Sequence, residues 1–130
     1  MVIDSSAVLA VLLNEPEREL FVQAILDAGD PVISAATVLE SSMVMESRSG
    51  ADGVVKLDEF LAAAGVRIIA VDDMQAYAAL EGFHRFGKGR SPAALNFGDC
   101  FAYGLVITKG RPLLFKGEDL RRTNVEAAVG

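Results

Sequence analysis

The amino-acid sequence predicts an α/β fold, a three-layer α/β/α sandwich built on a short-stranded central parallel sheet. Short, mostly apolar runs alternate along the chain with longer helical segments, which is the pattern of a parallel sheet covered by helices. The four expected strands are Val2–Ile3, Val32–Ile33, Arg67–Val71 and Pro112–Phe115. The chain has 130 residues, 52% of them hydrophobic, and no repeat or linker, so we expect a single domain over residues 1–130.

The first strand leads into a polar turn and two helices. Three small polar residues follow it: Asp4, Ser5 and Ser6. Either serine can cap a helix over Ala7–Leu13, which would leave Asp4 free for other contacts. A second helix is expected over Glu15–Ala28, with Pro16 in its first turn, where a proline is well tolerated.

The second strand is followed by two more helices. Ser34 is expected to cap a helix over Ala35–Arg48. The apolar side chains expected on the buried face of that helix are Val38, Leu39, Met43 and Val44. A helix over Ala51–Ala63 then precedes Arg67–Val71, the clearest strand of the chain because it is rich in β-branched residues.

The last part of the chain contains one more strand. The elements expected there are, in order, a helix from Asp72 or Asp73 to Phe86, a loop over Gly87–Pro92, a helix from Ala94 or Phe97 to Thr108, the fourth strand, a short helix over Glu118–Arg121 and an edge strand at Val125. In open parallel sheets, ligands bind outside the carboxyl ends of the strands. Asp4 and Asp119 both follow strands and therefore fall on that edge.

Composition excludes several kinds of site. The chain has one cysteine, Cys100, and one histidine, His84, which rules out a disulfide framework or a Cys-rich zinc site, so any bound metal must be held by oxygen. The formal charge of −6 argues against binding nucleic acid by bulk charge. No apolar run approaches the roughly 18 residues of a membrane helix, and no signal-peptide pattern precedes the first strand, so we expect a cytoplasmic protein.

Four acids stand out because they follow strands or lie in apolar surroundings: Asp4, Glu40, Asp99 and Asp119. A hard cation such as Mg²⁺ binds carboxylate oxygens that arrive from different elements at one point. An unpaired carboxylate in an apolar helix is costly, which favours a function for Asp99 and Glu40. Three alternatives stay open: a helix cap at Asp4, a buried ion pair at Asp99, and Glu46 in place of Glu40.

Four motifs together carry a resemblance to a known family. They are Met-Val-Ile-Asp-Ser-Ser-Ala at the start, Glu40 on the helix after the second strand, Asn-Phe-Gly-Asp-Cys over 96–100, and Pro-Leu-Leu-Phe-Lys-Gly-Glu-Asp-Leu over 112–120. Over essentially its whole length the chain resembles a PIN domain, and more narrowly the VapC-like toxins of bacterial toxin–antitoxin systems. The resemblance implies an endoribonuclease that depends on Mg²⁺ or Mn²⁺ and hydrolyses RNA phosphodiester bonds.

The resemblance also implies roles for individual residues. The three acids that it identifies as metal ligands are Asp4, Glu40 and Asp99. We assign the fourth catalytic acid to Asp119, with Glu118 as the alternative, because the usual family register would fall on Gly117. Two further residues match polar positions near such sites: Ser6, which would support the first acid, and Asn96.

Partners follow from the same resemblance. Three basic residues are candidates to position the RNA backbone: Lys88, Arg90 and Lys116. The resemblance implies a VapB-like antitoxin that covers the groove, a homodimer, and a hetero-oligomer of toxin and antitoxin. The alternative function is a catalytically inactive PIN-like module that binds RNA or protein. A phosphatase of the haloacid-dehalogenase type is disfavoured, since Ser6 stands where its second aspartate would be needed.

Overall fold

The computed structural model describes all 130 residues. The strands are β1 (Val2–Ile3), β2 (Val32–Ser34), β3 (Arg67–Ile69) and β4 (Leu113–Leu114). The helices are α1 (Ser5–Leu12), α2 (Arg18–Asp27), α3 (Ala35–Ser49), α4 (Ala51–Ala63), α5 (Asp73–Phe86) and α6 (Phe97–Lys109), and a 3-10 turn covers Leu120–Arg122. None of these helices is both long enough and apolar enough to cross a membrane.

The four strands form one parallel sheet in the order β3-β2-β1-β4. Consecutive strand residues point to opposite faces, so each strand contributes to two cores. Ile3, Ile33 and Leu114 pack with the buried residues of α1, α2 and α4. Val2, Val32 and Leu113 pack with those of α6 on the other face. The predicted α/β/α sandwich with a short-stranded parallel sheet is therefore confirmed.

The serine caps predicted for α1 are wrong. The helix begins at Ser5 and Asp4 caps it, with the Asp4 side chain accepting a hydrogen bond from the Ser6 backbone N–H at 3.1 Å. Asp4 follows β1 directly and keeps an extended backbone (φ −86°, ψ 159°), which is the conformation that an N-cap requires. Asp4 is thus a cap and also a member of the site described below.

The predicted start of α2 is also wrong, because the helix begins at Arg18 rather than at Glu15. Asn14 turns the chain with a positive φ of 55°, and Pro16 lies in the turn that follows instead of in the first helical turn. The consequence is that Glu15 and Glu17 sit in a connecting turn, from which their carboxylates reach another part of the chain.

The buried face of α3 differs from the predicted one. Thr37, Ser41 and Met45 are buried, whereas Leu39 and Met43 are 62% and 60% exposed. Ser41 can be buried because its Oγ donates a hydrogen bond to the Thr37 carbonyl oxygen at 2.8 Å. Of the four apolar residues expected on the buried face, Val38 packs against the core and Val44 is half-buried, whereas the prediction is wrong for Leu39 and Met43.

Two sheet edges differ from expectation. β3 ends at Ile69 instead of Val71, and it is an edge strand whose Arg67 and Ile68 are exposed. On the opposite edge no strand forms at Val125. The chain instead makes an isolated parallel bridge between Ala127 and Leu113.

The start of α6 is settled at Phe97. Ala94 has a positive φ of 52°, outside the right-handed helical region, and Asn96 is the N-cap. Cys100 is buried in this helix, as predicted from its apolar neighbours. The helix therefore presents Asp99 in its first turn.

A group of charged residues joins the amino ends of three strands, and we call Asp30, Arg67 and Arg111 the amino-end cluster. Asp30 Oδ2 lies 2.8 Å from Arg67 Nη2 and 2.9 Å from Arg111 Nη1. These residues lie before β2, at the start of β3 and before β4. The hydrogen bonds from Arg67 and then Arg111 hold the pKa of the Asp30 carboxyl well below its usual range.

Candidate active site

An acidic pocket of about 290 Å³ lies at the carboxyl ends of β1 and β4. All four predicted acids line it: Asp4, Glu40, Asp99 and Asp119. Four other residues from the sequence analysis also line it: Ser6, Asn96, Lys116 and Glu118. The fold thus brings together carboxylates that are 20 to 115 residues apart in the chain. We refer to this feature as the acidic pocket.

Asp4 is the most deeply placed of these acids, with 2% of its surface exposed. Its Oδ2 accepts hydrogen bonds from the Ser6 backbone N–H at 3.1 Å and from Ser6 Oγ at 2.6 Å. Its Oδ1 is buried without a hydrogen-bond partner. Burial raises the pKa of Asp4 to about 6, against the opposing hydrogen bonds from Ser6, and the negative charges of Asp99 and Glu40 raise it further.

Glu40 approaches α6 at a glycine. Its carboxylate lies so close to the Cα of Gly98 that a Cβ at that position would collide with Glu40 Oε2. Gly98 is therefore a point of close approach between α6 and the Glu40 side chain. Because Gly98 directly precedes Asp99, the absence of a side chain there lets the carboxylates of Glu40 and Asp99 face the same pocket.

Asp99 is fixed by a capping box at the start of α6. Its backbone N–H donates to Asn96 Oδ1 at 2.9 Å, and its Oδ2 accepts from the Asn96 backbone N–H at 3.1 Å. Burial raises the pKa of Asp99, the hydrogen bond from Asn96 lowers it, and the charges of Asp119 and Glu40 add to the increase. Asn96 therefore orients Asp99, and the alternative of an ion pair at Asp99 is wrong.

The two candidates for the fourth acid differ in their surroundings. The charge of Asp119 reaches Asp99 strongly enough to raise its pKa. Glu118 is 68% exposed at its side chain, and its Oε1 lies 4.0 Å from Arg121 Nε. This difference favours Asp119 over Glu118, although both line the acidic pocket.

Lys116 lines the acidic pocket, but its ammonium group pairs with two carboxylates outside it. Its Nζ lies 2.9 Å from Glu17 Oε2 and 3.1 Å from Glu15 Oε2, and these two contacts raise the pKa of Lys116. Its backbone N–H donates to Ser6 Oγ at 2.9 Å. The Ser6 hydroxyl thus joins Asp4 to the segment after β4. Sequence reasoning missed the roles of Glu15 and Glu17, since nothing local links them to a lysine about a hundred residues away.

The other two predicted RNA contacts, Lys88 and Arg90, do not line the acidic pocket. They belong to the loop after α5, which is pinned at its ends by hydrogen bonds between the Lys88 N–H and the Leu95 carbonyl and between the Leu95 N–H and the Phe86 carbonyl. The Arg90 guanidinium lies 5.1 Å from the centre of the Phe83 ring. Phe83 lines a neighbouring groove, so Arg90 lies beside that groove instead.

The pocket suits an oxygen-binding cation. No Lys or Arg forms an ion pair within 4.0 Å with any of its four predicted acids. The buried, unpartnered Asp4 Oδ1 is a free donor atom of the kind that Mg²⁺ and Mn²⁺ bind. The side chains do not already close around one point as a group of three ligands. Mg²⁺ retains several of its waters, so an open set of carboxylates fits it.

A family model for the PIN domain matches residues 1–126. This chain belongs to the PIN-domain family. The resemblance inferred from its four motifs is thereby confirmed, including its narrower form, because the similar curated proteins carry the name VapC.

Two relatives of this PIN domain illustrate the match. The chain is 50% identical over 129 residues to "Ribonuclease VapC" of Mycolicibacterium smegmatis, covering 98% of each chain. It is 46% identical over 125 residues to "Ribonuclease VapC30" of Mycobacterium tuberculosis, covering 96% of this chain and 95% of the relative. The match extends over nearly the whole PIN domain in both cases.

A solved structure supports the same fold for the PIN domain. The crystal structure of Mycobacterium tuberculosis VapC20, a toxin described as cleaving the sarcin–ricin loop, aligns with a TM-score of 0.76 and covers 95% of each chain. The identity is 16%, so this likeness concerns the fold alone.

Proposed function

We propose that this protein is a metal-dependent endoribonuclease that acts as the toxin of a toxin–antitoxin pair. The acidic pocket carries the proposal, because four carboxylates from separate elements meet there with no cation in ion-pair contact. The names of the relatives, Ribonuclease VapC and Ribonuclease VapC30, support the same activity. Hydrolysis by in-line attack of water would leave 5′-phosphate and 3′-hydroxyl ends, and the cytoplasm would be the place of action.

The proposed metal ligands are Asp4, Glu40 and Asp99, with Asp119 as the fourth catalytic acid. The chemistry that Mg²⁺ or Mn²⁺ supplies in such a site is a lower pKa for its water and neutralised charge on the scissile phosphate. Asp4 presents its free Oδ1 while Ser6 holds the other carboxylate oxygen in place. Asn96 fixes Asp99 in the same way. Metal affinity thus depends on Ser6 and Asn96, which hold two of the ligands in place by hydrogen bonds, as well as on the ligands themselves.

Two carboxylates outside the pocket keep its charge negative. Glu15 and Glu17 hold the Lys116 ammonium group, which would otherwise be free to pair with a pocket acid. We propose that Lys116 contacts the RNA backbone from the rim, together with Lys88 and Arg90 of the loop after α5. Such contacts position a substrate without reading its sequence.

The proposed partners follow from charge and exposed apolar surface. An antitoxin segment with a basic side chain that reaches Asp4 and Asp99 would complement the acidic pocket. Large apolar side chains such as Leu39 and Met43 on α3 are more than half exposed, which favours a homodimer in which a second copy covers part of this surface. Sedimentation of the free protein and of the complex with its antitoxin would measure both assemblies.

The test of the proposed function is cleavage of total cellular RNA by the purified protein with Mg²⁺ or Mn²⁺. Three controls accompany it: EDTA, Asp99→Asn, and Asp52→Asn, which removes an exposed acid from the first turn of α4. We expect discrete products from the wild type and from Asp52→Asn only, and none with EDTA. Absence of cleavage by folded, antitoxin-free protein with either metal would contradict the proposal and favour the inactive binding module.

A further inference from the structure

A second concave feature lies beside the acidic pocket. It is a groove of about 400 Å³ between α5 and α6, and every residue that lines it is hydrophobic. Its aromatic members are Phe83, Phe97 and Phe101. The volume falls within the roughly 300–1,000 Å³ typical of pockets that bind small organic groups. We call this feature the apolar groove.

The two features meet at the first turn of α6. Asn96 and Asp99 line the acidic pocket, while Phe97 and Cys100 line the apolar groove. The four residues lie within positions 96 to 100, so the groove and the pocket share the first turn of α6. The groove therefore adjoins the proposed active site.

Phe97 is the most exposed large apolar side chain of the protein, with 82% of its surface accessible. It is the first residue of α6, and its ring meets Phe101 edge-on, with the ring centres 4.8 Å apart and the planes at 89°. That contact fixes the orientation of the Phe97 ring while most of its surface remains open. An aromatic ring held open beside a catalytic site is suited to stacking on another planar group.

A loop with several cations lies next to Phe83, one of the aromatic residues of the groove. Arg90 lies over the ring of Phe83, and Lys88 belongs to the same loop. Arg122 reaches that loop by donating from Nη1 to the Pro92 carbonyl oxygen at 3.2 Å. None of these three cations forms an ion pair within 4.0 Å. In a chain with a net charge of −6, a group of unpaired cations at the loop next to Phe83 complements a polyanion that carries aromatic rings.

We propose that the apolar groove is a nucleobase-binding subsite, in which a base next to the scissile phosphate leaves its stack and lies against the ring of Phe97. The inference rests on the proposed function for the identity of the substrate. Single-stranded RNA combines a negative backbone with planar bases, and proteins bind it through cations and aromatic side chains in this way. Arg90 and Lys88 hold the adjoining phosphates at the loop next to Phe83. The free cations favour RNA over a second copy of this acidic chain.

The first experiment locates the base. A short single-stranded oligoribonucleotide containing 5-iodouridine is bound to the full-length protein in the Asp99→Asn background, which keeps the RNA intact, and is irradiated. Mass spectrometry of the cross-linked peptide should identify Phe97 or its groove neighbours. Cross-links confined to residues outside the groove would overturn the proposal. The readout does not require cleavage, so it separates failure of the subsite from failure of the proposed ribonuclease activity.

The second experiment measures the energetic role of the ring. In the same background, Phe97→Leu should weaken binding of the oligoribonucleotide by about five- to hundredfold, as expected for loss of one base stack. Phe97→Tyr, which keeps a ring, should restore binding. Ile107→Ala is the matched control, because Ile107 is an exposed apolar residue near the other end of α6 and should change nothing.

An abasic oligoribonucleotide tests whether Phe97 contacts the base itself, because the protein substitution and the removal of the base can then be combined. If Phe97 acts on the base, wild type and Phe97→Leu should bind the abasic oligomer equally, since the stacking partner is absent. An equal loss with both oligomers would assign Phe97 a structural role and overturn the proposal. If Phe97→Leu leaves RNA binding unchanged but weakens the homodimer or the antitoxin complex, the groove binds a protein partner and the proposal is overturned.

Discussion

The carboxylates at the two ends of the sheet differ in whether they are paired with cations. At the amino ends of the strands, the Asp30 carboxylate is bound by two guanidinium groups, those of Arg67 and Arg111, at 2.8 and 2.9 Å. At the carboxyl ends, Asp4 and Asp99 face other carboxylates with no cation in ion-pair contact. The pKa of Asp30 is lowered by its partners, whereas the pKa values of Asp4 and Asp99 are raised by burial.

This contrast separates structure from function within one fold. Paired charges at the amino ends connect three strands and favour the folded state. Unpaired, partly buried carboxylates are unfavourable for folding, and they persist where a ligand is needed to compensate them. The sheet therefore has a stabilising end and a reactive end. The predictions below test this division, beginning with the largest expected effect.

Gly98→Ala should lower RNA cleavage by about a hundredfold, because displacement of a catalytic group by about 1 Å can have an effect of that size. The new Cβ would collide with Glu40 Oε2 and push that carboxylate out of the acidic pocket. The matched control is Gly29→Ala at the amino end, where a Cβ meets nothing within 4 Å. The measurement is the RNA cleavage rate of each variant. Equal rates would show that the position of Glu40 is unimportant for cleavage.

Asp4→Asn should stabilise the metal-free protein at neutral pH while abolishing cleavage. The pKa of Asp4 is about 6 in the folded state against 3.8 in the unfolded chain, so the folded state holds the proton more tightly and loses stability as the pH rises through this interval. Removing the ionisable group should raise the free energy of unfolding at pH 7 by on the order of 1–3 kcal/mol. Urea unfolding with EDTA at pH 4.5 and pH 7 measures this, and a stabilisation that does not grow with pH would contradict it.

Ser6→Ala should lower cleavage by about tenfold, the lower range for residues that orient a metal ligand. The variant loses the 2.6 Å hydrogen bond to Asp4 and the 2.9 Å contact with the Lys116 N–H. Ser42→Ala is the control, since its hydroxyl also makes a short hydrogen bond, to the Val38 carbonyl, but outside the acidic pocket. Metal titration of both variants should show weaker binding for Ser6→Ala alone.

Asp30→Asn should have the smallest effect, a loss of stability with unchanged cleavage. The pKa of Asp30 is lower in the folded state, so its ionised form stabilises the fold above the unfolded value of about 3.9, and this contribution is lost as the pH falls below it. Thermal unfolding should therefore show a lower Tm for the variant than for the wild type at pH 7. The difference between the two Tm values should become smaller as the pH is lowered. A matched variant, Asp27→Asn, removes an exposed acid of α2 that contacts only Gln23 and should leave Tm nearly unchanged.

The sequence was sufficient to predict the parallel sheet and to select the four acids that line the acidic pocket. Short apolar strands ending in polar residues predicted the parallel sheet and its reactive edge, and an acid in an apolar helix marked Asp99. The family match confirms the resemblance that the four motifs carry. The assignment of catalytic and metal-binding roles to Asp4, Glu40, Asp99 and Asp119 stays a prediction, as does the choice of Asp119 over Glu118.

The failures have different physical causes, some local and one that links distant parts of the chain. The buried face of α3 was missed because Ser41 satisfies its hydroxyl on its own helix and can replace an apolar residue. Neither serine caps α1, because Ser6 turns its hydroxyl to Asp4; the alternative of a cap at Asp4 is the one that the structure bears out. Lys116 could not be assigned because its partners, Glu15 and Glu17, come from the other end of the chain.

The most direct test of the division between the two ends is a calorimetric titration of Mn²⁺ into wild type, Asp99→Asn and Asp30→Asn. Both substitutions remove one carboxylate, one at each end of the sheet. We expect Asp30→Asn to bind the metal like the wild type and Asp99→Asn to bind it at least about tenfold more weakly, as expected when a ligand or its support is lost. Equal binding by wild type and Asp99→Asn would contradict the proposed metal site.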